Sequence, residues 1–299
     1  MGRFPFFFLP FVFLLNKVCG LFSKGGKFLT FLKKQEKMLS YFQLGLFIVL
    51  IFLIQNKLFM IAFTVLICFI VYLAIVSKQK RTFAWVMLAY IFGYLLYLYG
   101  DRLTDELPFR VSIIMILDRS LLLIPIFFIV YVTKKFNVTI NNYWRKPNWQ
   151  ARISFPFIYK GFCSFSIRIF LLLTISGTVI SFTPLILKAS FPFTISFFVF
   201  LILFSLISGI LEEILWRGVL LTRMVELVGN NGAIVFSSLA FGLSHLAFGY
   251  SLLACLGFAL SGAFYAGIVI RSGSMIPAMI WHLVFNILLV TSGLIPYFE

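Results

Sequence analysis

The sequence predicts an all-α fold, a polytopic transmembrane helical bundle of about eight to nine spans, with any active site within the later helices. Three observations predict it. Of 299 residues, 62% are hydrophobic and 11% charged, against roughly 25% charged in an average soluble domain. Apolar runs of spanning length recur along the whole chain. The few ionisable groups inside those runs gather in the last third. A soluble globular enzyme is excluded.

A hydrocarbon core of about 30 Å needs about 20 apolar residues per helix. Runs that meet this measure lie near residues 39–55, 58–76, 82–99, 111–133, 161–187, 192–216, 232–248, 251–270 and 275–293. The fourth is interrupted by Asp118 and Arg119, which read as interfacial anchors or separate packing partners because adjacent residues on a helix do not face the same way. The first 22 residues resemble a signal peptide in their Phe-rich run but lack an A-x-A site and precede a lysine-rich stretch. They read as an uncleaved interfacial segment. Three regions follow: a basic N-terminal interfacial segment (1–38), N-terminal transmembrane helices (39–190) and a later helical core (191–299) that holds the clustered ionisable groups.

The chain carries 25 Lys and Arg against 9 Asp and Glu, a formal charge of +16. The bases lie between apolar runs rather than along one polar face, so the partner they imply is membrane lipid and not nucleic acid. With the amino terminus cytoplasmic, 18 of them fall in inside loops and only Lys57, Arg102, Arg110 and Lys188 in outside loops. That asymmetry predicts an integral membrane protein with its amino terminus in the cytoplasm. The Phe, Ile and Lys bias points to a bacterial cell membrane. The basic loop from Lys134 to Lys160 reads as a membrane-surface loop. The four cysteines, Cys19, Cys68, Cys163 and Cys255, have no CxxC pair and read as small buried hydrophobes.

A charged side chain at mid-span costs about 2.5–3.5 kcal/mol on insertion scales, so ionisable groups there are functional candidates. Glu212, Glu213 and Arg217 lie in the sixth run, Phe241 and His245 in the seventh, and His282 and Asn286 in the last. His245 and His282 are the chain's 2 histidines. Glu213 and Arg217 are i and i+4, the spacing of a supporting ion pair. Glu212 points about 100° away, on the face of Ser205, Ser208 and Gly209, where another helix can approach. Gly229-Asn230-Asn231-Gly232 is a turn signal. It makes the sixth and seventh runs a hairpin, with Glu212 and His245 roughly 25 and 20 Å from the bend at 1.5 Å per residue. His282 and Asn286 share a face of the last span. Small residues in the eighth run, among them Gly257, Gly262 and Gly267, allow close helix packing. Together these side chains are the parts of a peptide-hydrolysing site: a base for water and donors for an oxyanion.

The motifs EExxxR at Glu212–Arg217, FxxxH at Phe241–His245 and HxxxN at His282–Asn286 resemble the CPBP family in order and helical context. This family comprises type II CAAX prenyl endopeptidases and bacteriocin-processing or immunity membrane proteins, also called Abi. The resemblance covers roughly residues 190–293. It implies an intramembrane endopeptidase in which Glu212 and His245 bind and activate water while His282 and Asn286 stabilise the oxyanion. Glu213, Arg217 and Phe241 then act in support. The cofactor is left open: metal-free chemistry is favoured, while Glu212, His245 and His282 are a plausible zinc ligand set, although HExxH is absent. The expected partner is a membrane-associated peptide or protein, cut near the cytoplasmic half of the bilayer. The alternative is a non-catalytic peptide-binding immunity or scaffold protein.

Overall fold

The structure is a computed structural model describing residues 25–75, 78–190 and 192–297. The interfacial segment expected over residues 1–22 and Cys19 lie outside the described residues. Two compact units divide at Gln43 and Leu44. In the first, Ser40 Oγ donates to the Glu36 carbonyl and Lys37 lies over the Tyr41 ring.

Helices dominate, in the order α1 (Gly25–Gln55), α2 (Phe59–Ile75), α3 (Lys78–Asp105), α4 (Val111–Ser120), α5 (Leu123–Lys135), α6 (Ile167–Ile186), α7 (Ile195–Glu213), α8 (Leu221–Leu243), α9 (Leu252–Ser272) and α10 (Ile276–Thr291). A π-helical segment, Ile214–Leu220, joins α7 to α8, and a 3-10 segment, Ser244–Phe248, follows α8. Among the described residues, six helical stretches are long and apolar enough to cross a membrane, and Phe59–Ile70 and Ile276–Thr291 are shorter apolar helices. The 54-residue stretch Ile195–Phe248 is broken at Gly229, whose φ of 77° and ψ of 175° are not helical. Glycine adopts that φ without steric cost, so the predicted turn sits where the backbone breaks. The protein is an all-α integral membrane bundle.

Three of the later helices, α6, α7 and α9, start on hydroxyl caps. Ser166 accepts from the Ile169 N–H, Thr194 from Phe197 and Ser251 from Ala254, each satisfying an otherwise orphaned donor. Left-handed Gly249 and Gly273 end the 3-10 segment and α9. α7 is central, packed by α10 and α4, while α8 runs along α9. Gly242 permits the last contact: a Cβ there would lie 2.3 Å from the Cys255 carbonyl oxygen.

Several expectations need correction. The fifth run begins not as helix but as β2 (Lys160–Ser166), paired antiparallel with β1 (Arg152–Phe157). Ile153 and Ile158 bury the hairpin, and Ile158 packs on Gly267. The basic loop between Lys134 and Lys160 thus carries β1 and is hydrogen-bonded to the later helices. Asn148 N–H donates to the Ser272 carbonyl, Met275 N–H to Tyr143, and Arg145 Nε to Gly273, which pins it on the α9–α10 turn. Of the cysteines, Cys255 is buried as expected but Cys68 and Cys163 are exposed; Cys163 lies on β2, where residues 160–164 are all exposed.

Candidate active site

α7 delivers the two glutamates to opposite tasks. Glu213 is fully buried; its Oε1 accepts from Arg217 at 2.8 Å and from His282 Nδ1 at 2.9 Å. Arg217 is also covered by the rings of Phe241, 4.1 Å from the guanidinium, and Tyr265. A desolvated arginine is thus neutralised by one carboxylate and two π faces. The predicted ion pair forms, and it continues to His282, a link the spacing did not reveal.

Glu212 faces a small cavity of about 40 Å³, shared with Arg119, Ser208, His245, His282 and Asn286. Its Oε1 lies 3.6 Å from Arg119 and its Oε2 3.7 Å from His282 Nε2. Both distances exceed a strong hydrogen bond. The carboxylate is therefore held between two nitrogen groups without being consumed by either.

Each histidine has one nitrogen fixed by an acceptor. His245 Nδ1 meets the Phe241 carbonyl at 2.9 Å; a carbonyl only accepts, so the proton sits on Nδ1 and Nε2 carries the lone pair. Its ring stacks on Phe258 with centroids 4.3 Å apart. His282 gives Nδ1–H to Glu213 and stacks on Tyr265 at 5.2 Å. Phe241 supplies the carbonyl for one histidine and edge contacts to both rings, so its place one turn before His245 is a positioning one.

Asn286 Nδ2 and Ser208 Oγ are buried with no hydrogen-bond partner among the described residues, and both residues line the cavity. Gly209 borders Asn286: a Cβ on it would lie 3.6 Å from Asn286 Nδ2 and from the Leu283 nitrogen of α10, an ordinary van der Waals contact. The arrangement collects acceptors at Glu212 and His245 and donors at Asn286 and Ser208 around one space.

Residues 194–288 match the Rce1-like family of type II CAAX prenyl endopeptidases. The resemblance read from the three motifs is thereby shown, at the level of a CAAX-type intramembrane protease family. No curated protein and no solved structure matches the chain. The Rce1-like region begins at the Thr194 cap and takes in Glu212, Glu213, Arg217, Phe241, His245, His282 and Asn286.

Arg119 lies outside the Rce1-like region, and sequence reasoning missed it. Of the two readings for Asp118 and Arg119, interfacial anchors or separate packing partners, the structure fits the second: Arg119 projects from α4 into the cavity over the Phe248 ring, 4.3 Å away. Asp118 turns the other way and accepts from the Thr104 hydroxyl of α3. Tyr265 also went unmarked, and so did the π-helical segment directly after Glu213, a distortion frequent at functional sites. Among the described residues no group of three His, Cys, Asp or Glu side chains is arranged to hold a metal ion. Glu212, His245 and His282 of the Rce1-like region share the cavity without forming a ligand set.

Proposed function

We propose that the protein is an intramembrane endopeptidase that hydrolyses a peptide bond of a membrane-associated protein or peptide. The observation that carries this reading is the division of one cavity into proton acceptors, Glu212 and His245 Nε2, and hydrogen-bond donors at Asn286 and Ser208. A water held by the two acceptors has its oxygen lone pair free. Glu212 takes a proton as that oxygen adds to the scissile carbonyl. The oxyanion is met by Asn286 Nδ2–H and by the His282 side chain across the same cavity. The proton then passes to the leaving amine and the C–N bond breaks, giving a carboxylate and an amine.

The setting we infer is a bacterial cell membrane with the amino terminus cytoplasmic, where leader or pheromone peptides suit the reading better than prenylated CAAX proteins. The expected cut near the cytoplasmic half needs revising on the same topology. Ala247, two residues after His245, lines one vestibule with Lys57 and Arg102, and the loop-charge rule puts those two cations outside.

The experiment is cleavage of a farnesylated CAAX peptide and of a bacterial leader peptide by purified protein in lipid, with Glu212→Ala and His245→Ala alongside. Cleavage by the wild type that disappears in both variants supports the reading. Cleavage that survives in both sinks the mechanism. Peptide binding and biological protection retained in both, with no cleavage by any of them, favours the immunity or scaffold alternative.

A further inference from the structure

We propose that a row of three tyrosines on α3 forms a water site that supplies Glu212 and His245 from the aqueous end of the bundle. Tyr90, Tyr94 and Tyr97 follow at i, i+4 and i+7 and so share one helix face. Their rings stack in series, with centroids 5.6 and 5.3 Å apart. This face lines a second cavity of about 20 Å³, which shares Arg119, Glu212, His245 and Phe248 with the first. A water requires about 10–15 Å³ measured in this way. The space accepts a single water and excludes a peptide.

The polar atoms around it ask for that water. The hydroxyls of Tyr90 and Tyr97 are buried without a hydrogen-bond partner among the described residues, each residue being 1% exposed. A phenol both donates and accepts, and so does water. Beyond Tyr94 lies the vestibule, about 250 Å³, lined by Gln55, Lys57, Tyr99, Asp101 and Arg102; its charges mark it as the wet end. Gln55 Nε2 donates to the Tyr94 hydroxyl at 2.8 Å, and Gln55 Oε1 is buried and unpartnered among the described residues. This pair joins the two cavities, since Gln55 lines one and Tyr94 the other.

Polar groups therefore run from the vestibule through Gln55 to Tyr94, with Tyr90 and Tyr97 stacked on either side of it, along the cavity that Glu212 shares. Such a series inside an apolar bundle is costly unless it is hydrated. Asn286 lines the first cavity only, so water arrives on the side of Glu212 away from the oxyanion donor, and a bound peptide does not block it. The inference rests on the reading of Glu212 and His245 as the residues that activate water.

X-ray radiolytic hydroxyl labelling of the full chain in lipid nanodiscs, read by mass spectrometry, tests the site without requiring activity, because radicals form at bound water. Normalised for intrinsic reactivity, Tyr90 and Tyr97 should label about fivefold or more above Phe47, which is 0% exposed. Gln55→Leu should lower that labelling and reduce kcat by a similar factor, roughly that of one lost hydrogen bond, with KM unchanged. Tyr97→Phe, which preserves packing, should also lower kcat alone. Tyrosines as silent as Phe47, or labelling and kcat indifferent to both substitutions, overturn the water site. Labelled tyrosines in a protein that cleaves no peptide leave the water site standing and refute the peptidase reading instead.

Discussion

His282 Nδ1 lies 2.9 Å from Glu213 Oε1, while Nε2 of the same ring lies 3.7 Å from Glu212 Oε2. One imidazole thus distinguishes two consecutive glutamates, binding the first of these contacts tightly and leaving the other loose. Glu213 belongs to a buried network with Arg217; Glu212 belongs to the cavity. The predictions below follow from that division and from the packing that maintains it.

Arg217 should be a stability residue. Its loss leaves the Glu213 carboxylate buried against a histidine with half of its compensation gone, and breaking a buried pair costs about 3–5 kcal/mol. Arg217→Ala is expected to lower the thermal unfolding midpoint in lipid by many degrees. An unchanged midpoint would show that the pair is not structural.

Asn286 should act on the chemical step. Removing one oxyanion donor typically costs about 10²–10³ in kcat. Asn286→Ala is expected to lose activity on that scale with KM nearly unchanged. A fall in stability with proportionate loss of folded protein, and normal kcat for what remains, would instead make Asn286 a helix-packing residue against Gly209.

Arg119 should tune Glu212 rather than replace it. A charged contact of about 1.5 kcal/mol corresponds to roughly a tenfold rate effect. Arg119→Gln is expected to slow cleavage by about that factor, and Arg119→Lys to restore part of it. Equal rates in all three proteins would leave Arg119 as a partner of Phe248 alone.

Two glycines give an internal comparison. A Cβ on Gly242 would lie 2.3 Å from a backbone carbonyl and 2.7 Å from the Ala259 nitrogen, whereas Gly257 has nothing within 4 Å. Gly242→Ala should destabilise by about 1–3 kcal/mol, and Gly257→Ala should be neutral or slightly stabilising because alanine favours helix. Denaturant unfolding of the two variants checks this.

Much of the site was legible because its chemistry is scarce in this chain. Two histidines and a pair of adjacent glutamates inside apolar runs are expensive there, and i,i+4 spacing alone predicts that Glu213 meets Arg217 and that His282 and Asn286 share a face. The Gly229 bend was legible from the local cost of a positive φ. Arg119 was not, because its role depends on α4 packing against α7, a contact between segments about 90 residues apart that no local pattern encodes. The tyrosines of α3 did carry a signal, a polar stripe at i, i+4 and i+7, but aromatic residues read equally well as interfacial anchors. The β1–β2 hairpin was hidden within a basic loop, its alternation carried by few residues.

The most direct test is single-turnover cleavage of a membrane peptide in nanodiscs by Glu212→Gln beside Glu213→Gln, with the unfolding midpoint of each. The structure predicts that Glu212→Gln keeps the wild-type midpoint and loses about 10²–10⁴ in rate, while Glu213→Gln loses stability first. Cleavage by Glu212→Gln at close to the wild-type rate would contradict the account.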